Sequence, residues 1–544
     1  MTATNTAPPP AEDLDQPSAA MNRRDVGFAF AGLLIAMLLS ALDQMIFGTA
    51  LPTIVGDLGG VSQMLWVTTA YLLAATIMMP VYGKLGDLMG HKVLFLSALA
   101  IFLSGSVLGG LSTGMATLIA ARAIQGLGGG GLMILSQAII ADLVPARRRG
   151  KYMGAIGGVF AFSSVVAPLL GGWFTDTVGW RWAFWFNLPL GALAVTAALL
   201  FLKMPAQRPN RPRVDVLGIL TLAVAVAALI FITSWGGQEF AWGSPAILSL
   251  IATALVAGTA FVLVERRAAE PIMPLHLFRK RNFNLATFGG LCAAVAMFGV
   301  IAYMPSYLQM AAGLSATGAG LLMVPMSAGI TITSLSTGAL ASRTGRYKWM
   351  PIATCLGLAL GLLLLSTLTP DTSIWTIGAY LFILGAGNGL GFQVIVLIVQ
   401  NTFPITEVGT ATAANTFFRE IGAALGSAVV GTMFTTRLMT LLAEQLAASP
   451  GGPTESLDPT SLTPEMVSRL PEAVKSAVVT SYNEALTPVF LFLLPLMIMA
   501  AVALCFIEEK PLALTNAVRA DEEPAPATRP ALGRSPQTAP EETH

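Results

Sequence analysis

Fourteen stretches of this chain are apolar over about 18–25 consecutive residues, the length at which a helix crosses the hydrocarbon core of a bilayer. In that core no water is present to satisfy an open backbone, so such stretches span as helices. They fall at 27–50, 65–82, 93–112, 115–140, 152–174, 183–202 and 214–235. The rest lie at 244–264, 284–305, 316–338, 349–369, 374–399, 410–436 and 485–507. The chain is 55% hydrophobic and 11% charged, against about 25% charged in soluble domains. A soluble core cannot host so many runs. The expected fold class is an all-α polytopic membrane protein with 14 transmembrane helices.

An even number of spans puts both termini on one face. With this count, 24 of the 30 Lys and Arg residues collect on that face, and only Arg181, Arg437, Arg469 and Lys475 on the other. Short basic loops mark the cytoplasm, so both termini are expected there, in a cell inner (cytoplasmic) membrane. Residues 1–26 and 508–544 are rich in Pro, Ala and acid, without a cleavable signal, and are read as disordered. A net charge of +1 gives no field for nucleic acid. Cys292, Cys355 and Cys505 all fall within spans and show no metal-ligand spacing.

The remaining two basic residues, Arg122 and Arg419, lie inside spans, as do Asp43 and Glu420. An ionisable group at that depth costs at least ~2.5–3.5 kcal/mol on insertion scales and marks a pathway or relay. Asp43 lies about eight residues from the far end of span 1, roughly 12 Å at the helical rise. Arg122 lies about seven residues into span 4 from the same side, so the two share a layer and can pair. Apolar surroundings favour a protonated carboxyl, and a nearby guanidinium favours the ionised form. Opening and closing such a contact is a proton-coupling cycle; a permanent ion pair is the structural alternative. Arg419 and Glu420 are adjacent and point about 100° apart on one helix, so they do not simply neutralise each other. Glu420 reads as a second proton or cation site.

The loop Gly83-Lys-Leu-Gly-Asp87-Leu-Met-Gly90-His91-Lys92 is echoed by Gly338 to Lys348, each with a second Gly seven residues after the first. Duplicated halves follow: a six-helix bundle over 27–202 and another over 284–507. Segment 203–283 then carries an inserted helix pair with its linkers. The chain from 437 to 484 reads as an external loop, in which PEAVKSAVVTSYNEAL is an amphipathic surface helix.

These motifs resemble the major facilitator superfamily, and within it the fourteen-span drug:proton antiporters. Gly83 to Lys92 is similar to the superfamily's cytoplasmic loop signature, with His91 where Arg is usual. Arg122-Ala-Ile-Gln125-Gly126 is similar to span 4 of proton-coupled members. Leu42-Asp43 with Ala50-Leu-Pro52, and Trp180 to Phe184 with Asn187-Leu-Pro189, resemble the family's stretches in span 1 and entering span 6. Span 5 departs slightly, reading Ala167-Pro168-Leu-Leu-Gly171-Gly172 in place of Gly-Pro with Gly-Gly. In the second loop Ser342 stands where Asp87 does in the first.

The resemblance implies a proton-coupled exporter of lipophilic or cationic drugs, working by alternating access, driven by a proton gradient and needing no cofactor. Asp43, Arg122 and Glu420 are the expected coupling residues. Gly83, Asp87, Gly90 and Lys92, with Pro168, Gly171 and Gly172, are the expected gating residues. Helix register proposes a cavity lined by Gln44, Gln125, Asn388, Gln393, Asn415 and Arg419 with Tyr71, Phe162 and Tyr303. Its partners would be lipophilic small molecules, protons and membrane lipids; the oligomeric state is left open, a monomer being compatible with the reading. Gly126 to Gly131 is read as close helix packing, since no GxxxxGK[ST] phosphate loop exists. Two alternatives stand beside this reading. One is a dedicated exporter of an endogenous metabolite, lipid or siderophore. The other is a membrane-embedded enzyme or sensor, disfavoured because His91, His276 and His544 are scattered.

Overall fold

The computed structural model describes residues 23–59, 63–204, 214–237, 239–448, 466 and 471–512. Among them, regular structure is helical apart from one isolated bridge between Gly236 and Phe240. The first bundle comprises α1 (Arg23–Leu58), α2 (Met64–Met89), α3 (His91–Gly110), α4 (Met115–Leu143), α5 (Ala146–Trp173) and α6 (Trp182–Phe201). The inserted pair is α7 (Val216–Trp235) and α8 (Pro245–Glu265). The second bundle comprises α9 (Arg281–Met310), α10 (Thr317–Thr344), α11 (Trp349–Leu365), α12 (Ile374–Thr402), α13 (Val408–Ala448) and α14 (Glu472–Cys505). Thirteen of these are long and apolar enough to cross a membrane, and α11 is apolar but 17 residues long. The chain is a multi-pass membrane protein.

Local chemistry sets several boundaries. Ser244, Ser315 and Ser373 accept backbone N–H groups of the helices they open, and Asp215 does so for α7. Gly90 at φ 94° and Gly345 at φ 73° make the turns that end α2 and α10. Both are the second glycines of the repeated loops, where the left-handed backbone excludes most side chains.

The two bundles repeat one packing scheme. Helix α1 packs on α5 and α6, as α9 packs on α13 and α14; α2 and α3 pack on α4, as α10 and α11 pack on α12. The bundles meet along two seams, α5 with α10 and α2 with α13. Small residues permit the approach. A Cβ on Gly83 would strike Gly409 and Ala413, and one on Gly338 would strike Gly150 and Gly154. Helix α7 lies on α2 and α13, beside the second seam, with α8 against it.

Several sequence expectations change here. The expected external loop 437–484 is helical over most of its described length, because α13 continues to Ala448 and α14 starts at Glu472. The expected surface helix is therefore the first part of α14, with Val478 and Ser481 fully buried. Segments 449–465 and 467–470 lie outside the described residues. Helix α1 already starts at Arg23, while residues 1–22 and 513–544 lie outside the described residues. The start of the tail docks: Glu509 accepts the Tyr347 N–H at 2.7 Å, and the Tyr347 hydroxyl donates to the Lys510 carbonyl at 2.9 Å. Span 12 is interrupted, its helical segments ending at Gly389 and resuming at Phe392. Gly391 there lies against the Met350 backbone, an approach that a side chain would block.

Candidate functional site

Asp43 on α1 is fully buried, and Arg122 on α4 nearly so. Arg122 Nη1 donates to Asp43 Oδ2 at 2.5 Å and to Gln125 Oε1 at 2.8 Å. Asp43 Oδ1 accepts from Gln125 Nε2 at 3.0 Å and Asn187 Nδ2 at 2.8 Å. Ser106 Oγ on α3 joins both amides, at 2.8 Å from Gln125 and 3.1 Å from Asn187. The Arg122 guanidinium is further held between rings, 4.1 Å from the Phe47 centroid and 4.4 Å from that of Tyr71. One carboxylate thus draws donors from α4 and α6 and support from α3. A buried ion pair survives only when such hydrogen bonds satisfy its remaining lone pairs.

Beside this cluster a cavity of about 330 Å³ lies between the bundles. Gln44, Tyr71, Arg122 and Tyr303 line it, together with Leu65 near the start of α2 and Thr432 of α13. It therefore sits in the half of the molecule away from the basic loops. A smaller cavity of about 30 Å³ adjoins it, large enough for a water or two. Gln44 and Tyr71 line both, and Glu420 and Ser40 line the smaller. The Tyr71 hydroxyl lies 3.1 Å from Ser40 Oγ, so Tyr71 stands between the Asp43 cluster and the Glu420 cavity.

Of the proposed cavity residues, Gln44, Tyr71 and Tyr303 thus face open space. Gln125 does not: it is fully buried, and its amide serves Asp43. Phe162 is 54% exposed and lines neither cavity. Asn388, Gln393 and Asn415 are buried; Asn415 Nδ2 donates to Thr287 Oγ1 at 3.1 Å within the second bundle, and Gln393 lies against Gly157 of α5. Arg419 is buried over the Phe392 ring at 3.9 Å, with Nε and Nη1 lacking a hydrogen-bond partner among the described residues. Helix register alone placed these six in the cavity, and none of them lines either one, because the rotation of each helix against its neighbours is set by packing. Asn187, a donor to Asp43, and Ser106, which accepts from the amides of Gln125 and Asn187, were missed. Their only signal is a lone polar residue in an apolar span, which packing also explains.

At the basic face, Asp87 reaches across the α2–α13 seam. Its carboxylate accepts the N–H of Gly409 at 3.0 Å, and the N–H and Oγ1–H of Thr410 at 2.7 and 2.6 Å. The contact is a carboxylate on the N-terminus of α13, where the helix dipole favours an anion, and not a Lys or Arg salt bridge. His91 stands between Asp142, at 2.6 Å, and Asp87, at 3.3 Å. Lys92 is no part of the latch; its Nζ donates to the Leu202 carbonyl at the end of α6. On the other seam Arg147 donates to the carbonyls of Ser342 and Arg343, at 2.9 and 2.8 Å, and Ser342 Oγ accepts the Lys151 N–H. Gly171 packs on α1, and the Pro168 carbonyl lies 3.5 Å from Thr49 Oγ1 of α1. Gly171 meets Ile46 and Thr49 of α1, and Gly172 faces open space. The glycines of α5 that meet α10 are Gly150, Gly154, Gly157 and Gly158.

The family model described as Major Facilitator Superfamily matches residues 33–427. The MFS-type transporter Rv1877 of Mycobacterium tuberculosis is 41% identical over 515 residues, covering 94% of this chain and 73% of that protein. The multidrug transporter protein MdtP of Bacillus subtilis is 37% identical over 518 residues, covering 90% and 94%. Multidrug resistance protein 3 of the same organism is 35% identical over 491 residues, covering 88% and 94%. Among solved structures, the human organic anion transporter MFSD10 (TETRAN) matches with a TM-score of 0.52 at 17% identity. The match covers 87% of this chain and 99% of that one, a likeness of fold.

Proposed function

This chain belongs to the Major Facilitator Superfamily, a transporter and not an enzyme, and from that premise we propose a proton-coupled exporter of lipophilic or cationic compounds. The carrying observation is the Asp43–Arg122 pair, saturated with hydrogen bonds inside one bundle yet separated from the central cavity only by Arg122 and its aromatic neighbours. The basic face is assigned to the cytoplasm by the positive-inside rule, in the cell inner membrane with both termini inside. Contacts of Asp87 and Arg147 then close the cytoplasmic side, and the described arrangement is outward-facing.

A proton reaches Asp43 only when the guanidinium lets go. Neutralising Asp43 removes the attraction that ties α1 to α4. Helix α1 packs on α5, and α5 forms the seam with α10, so the change reaches the gate through two helix contacts. The seams must open reversibly, and a population shift of that kind turns on a few kcal/mol. Hydrogen bonds of Asp87 and Arg147 with backbone at the ends of the facing helices meet that requirement, since each joins one charged side chain to neutral groups across the seam. Tyr71 and Tyr303 offer aromatic faces to a lipophilic substrate, and Glu420 offers a carboxylate to its cation.

The test is ethidium transport in reconstituted vesicles under an imposed pH gradient, wild type against Asp43→Asn. Gradient-driven transport that disappears in the variant supports the reading. Undiminished transport makes Asp43 structural and moves the coupling site to Glu420. No ethidium transport by wild type replaces the drug with a narrow endogenous substrate.

A further inference from the structure

The inserted helix pair walls the central cavity. Thr233 and Ser234 in the last turn of α7, with Gly236 and Gly237 just beyond, line it alongside Thr68 of α2 and Thr432 of α13. Helix α7 lies across the α2–α13 seam. On its far side α8 presents an apolar face, with Leu255 67% and Val256 70% exposed. Among the described residues the α5–α10 seam has no such cover: Phe162 of α5 and Ile332 of α10 are exposed there.

The end of α7 is anchored, as a wall has to be. Phe231 and Trp235 stack at 4.6 Å, and both meet Trp66 at the start of α2, at 5.4 and 5.9 Å. The chain then folds back on itself through Gly237, whose φ of 75° favours glycine and whose N–H donates to the Phe240 carbonyl at 2.8 Å.

We propose that the inserted pair forms part of the substrate path, its α7 end closing the α2–α13 seam against lipid and making the larger cavity a release chamber. The inference rests on the export reading for its direction; the wall itself does not. Apolar surface gains roughly 25 cal/mol per Å² on leaving water, so a lipophilic compound at an uncovered seam returns to the bilayer. With α7 in place it meets hydroxyls from three helices and leaves through the aqueous mouth. The chamber also favours release of a cation. Among the described residues, Arg122 is the one formally charged side chain lining it, while Glu420 lines the smaller, deeper cavity. A cation in the chamber therefore meets hydroxyls and a guanidinium instead of a carboxylate, and binds weakly there.

The experiment places single cysteines at Thr233 and Ser234 in a Cys505→Ser background, with Val256→Cys as the control on the apolar face. A membrane-impermeant maleimide added on the side away from the basic loops is expected to label both α7 positions and spare Val256→Cys. Unlabelled α7 positions, or equal labelling at Val256→Cys, overturn the wall. In ethidium transport, Ser234→Trp is expected to lower kcat about fivefold with KM near wild type, and Val256→Trp on the apolar face of α8 to keep both. A Ser234→Trp protein with wild-type kcat overturns the release chamber. If wild type carries no ethidium the drug reading fails, and the maleimide pattern still decides the wall.

Discussion

Asp43–Arg122 and Arg419–Glu420 are the two charged pairs within the spans, and they are built in opposite ways. In the first, the charges sit on different helices, point at each other, and are surrounded by Gln125, Asn187 and Ser106. In the second, they are neighbours on α13. Arg419 turns into the second bundle and lies on Phe392, while Glu420 turns to the smaller cavity without a hydrogen bond or ion pair among the described residues. Two helices can bring opposite charges into contact; adjacent residues on one helix cannot. The first pair is therefore a saturated unit that must be broken to change state, and the second leaves a carboxylate free to meet a proton or a cation from the cavity.

The sharpest break of that comparison is in transport. Asp43→Asn is expected to reduce gradient-driven ethidium efflux to background. Glu420→Gln should keep gradient-driven efflux and raise KM several-fold, both read in reconstituted vesicles. Equal losses would merge the two sites into one. Stability comes next. Arg122→Leu leaves a buried carboxylate uncompensated and should cost about 3–5 kcal/mol in thermal unfolding of the purified protein. Arg419→Leu loses mainly a ring contact worth about 1 kcal/mol. Asn187→Ala removes one neutral donor from the Asp43 carboxylate and should cost about 1.5–3 kcal/mol by the same measurement. Smallest is Thr410→Val, which removes one of three donors to Asp87 and weakens the latch by about 1 kcal/mol. Cysteine cross-linking across the α2–α13 seam at the basic face reads that change as a lower closed fraction.

The repeated loops carry a similar contrast. Asp87 meets the backbone of α13 with a carboxylate, whereas Ser342, at the matching position, offers a hydroxyl and a carbonyl to Lys151 and Arg147. One substitution in the repeat thus makes the two seams chemically different. The covering of only one of them by α7 makes them sterically different too.

The sequence by itself determined the helical class, the number of spans and the layer that Asp43 and Arg122 share. Hydropathy and charge act locally along a chain, and membrane thickness converts them directly into segments. The two turning glycines were also legible, since Gly90 and Gly345 repeat at fixed spacing. The aim of each side chain was decided only by tertiary packing. Gln125 looked like a cavity residue and turned out to be a partner of Asp43; Lys92 looked like a latch and ties α3 to α6. Gly171 looked like a gating residue and packs on α1. Which face of a helix meets water, its own bundle or the other bundle depends on rotations set by neighbouring helices. Those neighbours are far away in sequence, and the uniformly apolar spans carry too little contrast to reveal them.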